Sequence, residues 1–269
     1  MKPIPVVFNL GPLQFHTYGL GLAITFWFGY RMFHRRLVAH GWDADWLAPV
    51  TVRIVVAALI GARLVHVVAN WSSQYEHHLI QIPQVWQGGL SSFGGLAFGL
   101  ATGFYLARRR GPAIPRPRIA DLVAPVLLAS WAVGRLLGPQ LMVRGGGHPT
   151  NAWYGMYYAG EVGKRLPVPL FQSAMTVVML LLTWRVEKYV ESRGGPRGLV
   201  ASFAVTVWGI GRFIEEHFWL ARPGHAGDVA VQVTGVVLAA GGLLVSVYLL
   251  ARNRPVVEQA LPAEEASPV

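Results

Sequence analysis

Residues 48–70 read APVTVRIVVAALIGARLVHVVAN. Apart from Arg53, Arg63 and His66 the run is almost wholly apolar, and a helix of that length crosses about 30 Å of hydrocarbon. The segment is therefore a membrane-spanning helix with an arginine inside it. A guanidinium at bilayer depth costs several kcal/mol unless it faces a polar cavity or a counter-ion. Arg135 and Arg212 repeat the arrangement, each directly after a glycine within an apolar run. The chain is thus expected to hold something anionic within the membrane.

Working outward from that stretch, seven windows are long and apolar enough to span: 17–34, 48–70, 89–107, 120–141, 168–186, 198–218 and 228–250. This predicts an all-α integral membrane protein with seven transmembrane helices. Fourteen of the 23 Lys and Arg residues fall in the loops after the first, third, fifth and seventh windows, and five fall in the opposite loops. The positive-inside rule then puts the N-terminus outside and the C-terminus in the cytoplasm. Residues 1–254 form the membrane domain. Its outer loops, 71–88 and 142–167, are rich in Trp, Tyr, His and Gly and suit interfacial arms and a small cap. Residues 255–269 lack an apolar period and are expected to be a disordered cytoplasmic tail.

Composition excludes several classes of function. The chain is 53% hydrophobic and only 13% charged, far from the soluble norm of about a quarter charged. It has no cysteine, so any thiol in its chemistry belongs to a partner, and no metal site is proposed. The net charge of +10 lies in short clusters beside apolar runs, which membrane topology explains without nucleic acid. Met1 to Gln14 carries one lysine and no signal-peptide pattern.

Four clusters could carry chemistry. Phe15-His16-Thr17-Tyr18-Gly19 enters the first span from outside, as an interfacial anchor or as part of a site. Gly88, Gly89, Ser91, Gly94 and Gly95 open the third; their backbone N–H groups suit phosphate, and their size equally suits close helix packing. Gly134-Arg135 precedes a flexible loop from Arg144 that carries His148. In Gly211-Arg212-Phe213-Ile214-Glu215-Glu216-His217, Arg212 and Glu216 share a helix face, as a structural ion pair or as part of a site.

Together these clusters resemble the prolipoprotein diacylglyceryl transferase family, from about Asn9 to Leu250. The carriers are FHTYGL (15–20), IGARLVHVVAN (60–70), VWQGGLSSFGGL (85–96), DLVAP (121–125), GRLLG (134–138) and GRFIEE (211–216). The resemblance implies transfer of the diacylglyceryl group of phosphatidylglycerol to the cysteine thiol of a lipoprotein precursor, with glycerol phosphate leaving. It implies a polar cavity open to the outer leaflet of a bacterial plasma membrane, no cofactor, and a monomer. Carried over by motif, Arg63, Gly88, Gly89, Ser91, Gly94, Gly95, Arg135 and Arg212 are expected to bind the phospholipid. Tyr18, with His16 beside it, and Glu216 match its catalytic positions, and His148 and His217 are further candidates for the base.

The chain departs from the family pattern at several polar positions. Phe93 stands where the family usually has histidine, Gly138 where it has asparagine, Phe171-Gln172 where it has Tyr-Glu, and Trp219 where it has arginine. Each change removes a charge, a proton carrier or a side-chain hydrogen bond. The reading is therefore a transferase that takes a glyceryl or diacylglyceryl unit from an anionic phospholipid, with the acceptor left open between the usual cysteine and another protein or small nucleophile. The alternative is a non-catalytic phospholipid-binding or lipid-moving membrane protein with the same fold.

Overall fold

The computed structural model describes residues 7–10, 13–76, 78–84, 91–109, 114–141, 143–220 and 226–252. The side chains of His16, Tyr18, Ser92 and Phe93 are not among those described, and Gly88, Gly89 and the tail at 255–269 lie outside the described residues. Seven α-helices follow one another: α1 Thr17–Ala39, α2 Leu47–Ala69, α3 Ser92–Arg109, α4 Arg116–Leu137, α5 Val168–Arg193, α6 Leu199–Glu215 and α7 Ala226–Arg252. Each falls on one of the seven apolar windows.

Two features differ from the sequence reading. A short antiparallel hairpin, β1 Val7–Leu10 with β2 Leu13–His16, precedes α1, pairing Val7 with His16 and Leu10 with Leu13. Four-residue strands are too short to leave a period that stands out beside a long apolar helix. Secondly, by length and hydropathy alone four helices qualify as spans, Leu47–Ala69, Arg116–Leu137, Val168–Arg193 and Asp228–Arg252. Among the rest, α1 is diluted by Arg31, His34, Arg35 and Arg36, and α6 has only 17 residues before a π-helical turn, Glu216–Leu220, continues it. The result is a multi-pass membrane protein with a lipid-facing apolar exterior, exemplified by Val68 and Leu244 at 74% and 70% exposed.

Glycines set how closely these helices approach. A side chain at Gly94 of α3 would run into the Gly61 carbonyl of α2, and one at Gly21 of α1 into the Leu137 backbone of α4. Gly209 and Gly235 bring α6 onto α7, and Gly211 receives Met179 of α5. Small residues at crossings are the membrane solution to close packing, since lipid supplies no hydrophobic drive between helices. A buried apolar cluster of Phe33, Leu37, Leu47, Ile114, Leu122 and Val126 joins the end of α1 to the starts of α2 and α4. The ion pairs at that end tie in α5: Arg36 to Glu187, and both His40 and Arg118 to Glu191 at 3.0 and 3.2 Å.

Candidate functional site

The geometry of the site starts from a buried carboxylate. Asp121, fully buried in α4, accepts hydrogen bonds from the Gly198 and Ala201 amides at 2.6 and 2.9 Å and so caps the start of α6. Ten residues further along each helix, Trp131 meets Trp208 edge to face with centroids 5.5 Å apart. Two contacts at the same sequence offset mean that α4 and α6 run parallel and in step. One more turn carries each helix from its tryptophan to an arginine on the same face, so Arg135 and Arg212 stand at one level.

The two arginines have different surroundings. Arg135 lies over the Trp131 ring, 4.3 Å from its centroid, a cation–π contact that orients the guanidinium without adding charge. Arg212 is held by two carboxylates: its Nη1 donates to Glu215 Oε2 at 2.5 Å and its Nη2 to Glu216 Oε2 at 3.2 Å. The Arg212–Glu216 pair is the one its spacing predicts. Glu215 is not singled out by the sequence, and its second partner explains its burial: Gln172 Nε2 of α5 donates to the same Oε2 at 2.9 Å. Glu215 and Gln172 are each 2% exposed. No local pattern signals a pairing between residues so far apart in the chain.

Residues 143–167 cover this end of the helices. Gly147 is packed against the Trp219 carbonyl, three residues beyond Glu216, and His148 follows it in the loop. The loop is fixed by backbone pairing of Gly147, His148 and Thr150 with Lys164 and Leu166. Within it the Tyr158 hydroxyl donates to Gln140 Oε1 at 2.7 Å, and burial pushes its pKa up to about 12, so it remains a donor. A row of rings, Trp153, Tyr154, Phe171 and Trp219, with successive centroids 5.6, 6.0 and 5.4 Å apart, leads from the exposed Trp153 to the π-helical turn that follows α6.

Other sequence candidates fall elsewhere. His217 points to the outside of α6, stacked on Phe213 with centroids 5.6 Å apart. The backbone of α1 brings its first turn, with Tyr18, beside the last turn of α4 through the Gly21–Leu137 crossing. The described partners of Arg63 lie in the segment between α2 and α3: its Nε donates to the Ile82 carbonyl at 2.7 Å, its Nη2 to that of Gln81 at 2.5 Å, and its face covers Tyr75. At the start of α3 the Ser91 amide donates to the Ala62 carbonyl at 2.9 Å, and Gly94 is packed against α2, while a side chain at Gly95 would meet only ordinary contacts. The close-packing reading thus has direct support at Gly94. Arg53 is exposed on α2, as suits a side chain that snorkels along apolar surface toward the interface.

Comparison with known proteins gives one consistent result. The sequence profile described as prolipoprotein diacylglyceryl transferase matches residues 5–251. A phosphatidylglycerol–prolipoprotein diacylglyceryl transferase of Geobacter sulfurreducens is 30% identical over 217 residues, 80% of this chain and 81% of that protein. One of Streptomyces griseus is 28% identical over 281 aligned residues, 99% of this chain and 82% of its own. One of Thermoanaerobacter is 26% identical over 185 residues, 68% of this chain and 67% of the relative.

Proposed function

Because the chain belongs to the prolipoprotein diacylglyceryl transferase family, a family of transferase enzymes, we propose that it moves the diacylglyceryl unit of a phosphatidylglycerol-like phospholipid to a nucleophilic acceptor. The observation that carries this reading is the level placement of Arg135 and Arg212 on parallel helices, under the cap. Two guanidiniums at one depth suit a phosphodiester, whose oxygens accept charge-assisted hydrogen bonds. They also stabilise the charge that grows on phosphate as it leaves.

The reaction balances with groups of this chain. The acceptor gives its proton to a base and bonds to the glyceryl carbon. The bond from that carbon to the phosphate oxygen breaks, and glycerol phosphate departs with the electron pair. Glu216 lies beside Arg212 and is assigned the base, with His148 of the loop as a further candidate to carry the proton. The relatives' names specify a prolipoprotein, and a lipoprotein cysteine is the first acceptor to test. Phe171, next to Gln172 in sequence, and Trp219, three residues beyond Glu216, are in ring contact, and this aromatic pair favours an acceptor that brings apolar surface with its nucleophile. The protein is assigned to a bacterial plasma membrane as a monomer, with the site toward the outer face, in line with the distribution of Lys and Arg.

A second reading draws on Arg212 itself. A guanidinium already paired with two carboxylates resembles a structural ion cluster, and a lipid-binding protein without turnover would retain it. Purified protein with labelled phosphatidylglycerol and a lipobox peptide separates the readings. Glycerol phosphate release with lipidated peptide supports the transferase and its usual acceptor. Release without lipidated peptide means another acceptor. Tight lipid binding with no release under any acceptor, lost in Arg135→Ala, overturns the transferase reading in favour of the second.

A further inference from the structure

Arg212 has two amine edges, and the structure assigns them different tasks: Glu215 is the permanent partner, and Glu216 is the one that phospholipid phosphate displaces. We infer that this displacement unmasks the Glu216 carboxylate as the base for the acceptor. The inference rests on the transferase reading above.

Both carboxylates are buried, Glu216 at 6% exposed, and the two contacts differ in length and in number of partners. Glu215 Oε2 lies 2.5 Å from Nη1, is 2% exposed, and is fixed from a second helix by Gln172. Moving it would break that bond and leave a buried amide and carboxylate unsatisfied, at a cost of several kcal/mol. Glu216 Oε2 is 3.2 Å from Nη2 and has no other hydrogen bond or ion pair among the described residues. It is also the first residue of the π-helical turn, where the backbone leaves α-helical pairing. An incoming phosphate oxygen can therefore take the Nη2 edge while Glu215 keeps the guanidinium in place.

The exchange couples the two substrates. While Glu216 Oε2 rests on Arg212 the guanidinium charge stabilises the carboxylate, and it is a poorer acceptor for a thiol or hydroxyl proton. Once phosphate holds Nη2, the carboxylate swings free beside the reacting carbon. The donor lipid is thus bound before the acceptor is activated, which protects the base and the lipid from idle reaction with water. Glu215 is a positioning residue in this scheme, because it acts only through Arg212.

The test exploits opposite signs. Phosphatidylglycerol affinity and turnover are measured for full-length protein in nanodiscs, with thermal unfolding as the folding control. In Glu216→Gln the competitor for Nη2 loses its charge, so lipid affinity is expected to tighten a few-fold while turnover drops about 100-fold. In Glu215→Ala both edges of Arg212 close on Glu216 as a fork, so lipid affinity is expected to weaken about tenfold. The exchange variant Gln172→Glu with Glu215→Gln returns a carboxylate to Arg212 from the other helix, and is expected to bind lipid within about threefold of wild type. If Glu215→Ala does not fold, the exchange variant carries the test. Weaker lipid binding in Glu216→Gln overturns the inference, as does an exchange variant that fails to fold or binds lipid about tenfold more weakly. Wild-type protein with no affinity for phosphatidylglycerol would instead overturn the transferase reading beneath it.

Discussion

Asp121 of α4 closes the start of α6, its Oδ2 accepting from the Gly198 amide at 2.6 Å. Because the capping carboxylate comes from another helix, it does two jobs: it satisfies amides that α6 leaves open, and it locks the register that levels Arg135 with Arg212. Asp121→Ala is expected to destabilise the protein by about 1–3 kcal/mol, since two part-buried amides lose their acceptor. Asp121→Asn keeps one acceptor oxygen and should fall between. Thermal unfolding in detergent measures the ranking, and an unchanged midpoint for Asp121→Ala would show that the cap contributes nothing to stability.

Arg63 is expected to behave as a pin for the arm between α2 and α3. Its fork holds two adjacent carbonyls, those of Gln81 and Ile82, while its face covers the buried Tyr75 ring. Lysine has the charge without the fork, so Arg63→Lys should resemble Arg63→Ala rather than wild type. Both should expose residues 71–84 to proteolysis before the helices unfold. Cleavage rates at the arm in intact vesicles report this, and wild-type resistance in Arg63→Ala would rule the pin out.

How much of this is legible in the sequence depends on the range of the interaction. Long apolar windows locate the helices, with α5 beginning at the expected Val168 and α6 passing into its π-helical turn within the expected span. The Arg212–Glu216 contact is legible because helix geometry fixes neighbours at i and i+4. Glu215 with Gln172, and Asp121 with Gly198, are not, since each joins two helices and no local pattern encodes which pair will meet. Arg63 has the same difficulty in another form. Its acceptors are backbone carbonyls, which every residue offers.

The adjacent glycines of α3 should split in their tolerance. A methyl at Gly94 would strike the Gly61 carbonyl and Val65, whereas one at Gly95 would meet Ala58 and Ala62 at 3.5 Å, ordinary contact. Gly94→Ala is therefore expected to cost about 1–3 kcal/mol by forcing α2 from α3. Gly95→Ala should be neutral or stabilising by up to about 1 kcal/mol, as alanine is the better helix former. Equal effects of the two on the unfolding midpoint would contradict a tighter approach of α2 at Gly94 than at Gly95.

Phe171 and Trp219 are expected to behave as one unit. Their rings lie 5.4 Å apart at a tilt of 55°, and Tyr154 covers Phe171 from the cap side with centroids 6.0 Å apart. Aromatic rings in such contact stabilise each other beyond the apolar area they bury. Phe171→Ala and Trp219→Ala should each destabilise by about 2–4 kcal/mol. The double variant should lose less than the sum, by roughly 0.5–1.5 kcal/mol, because the second truncation removes a contact already gone. A double-mutant cycle on unfolding free energy in mixed micelles measures that coupling. A value of zero would mean that the two rings contribute to stability independently of each other.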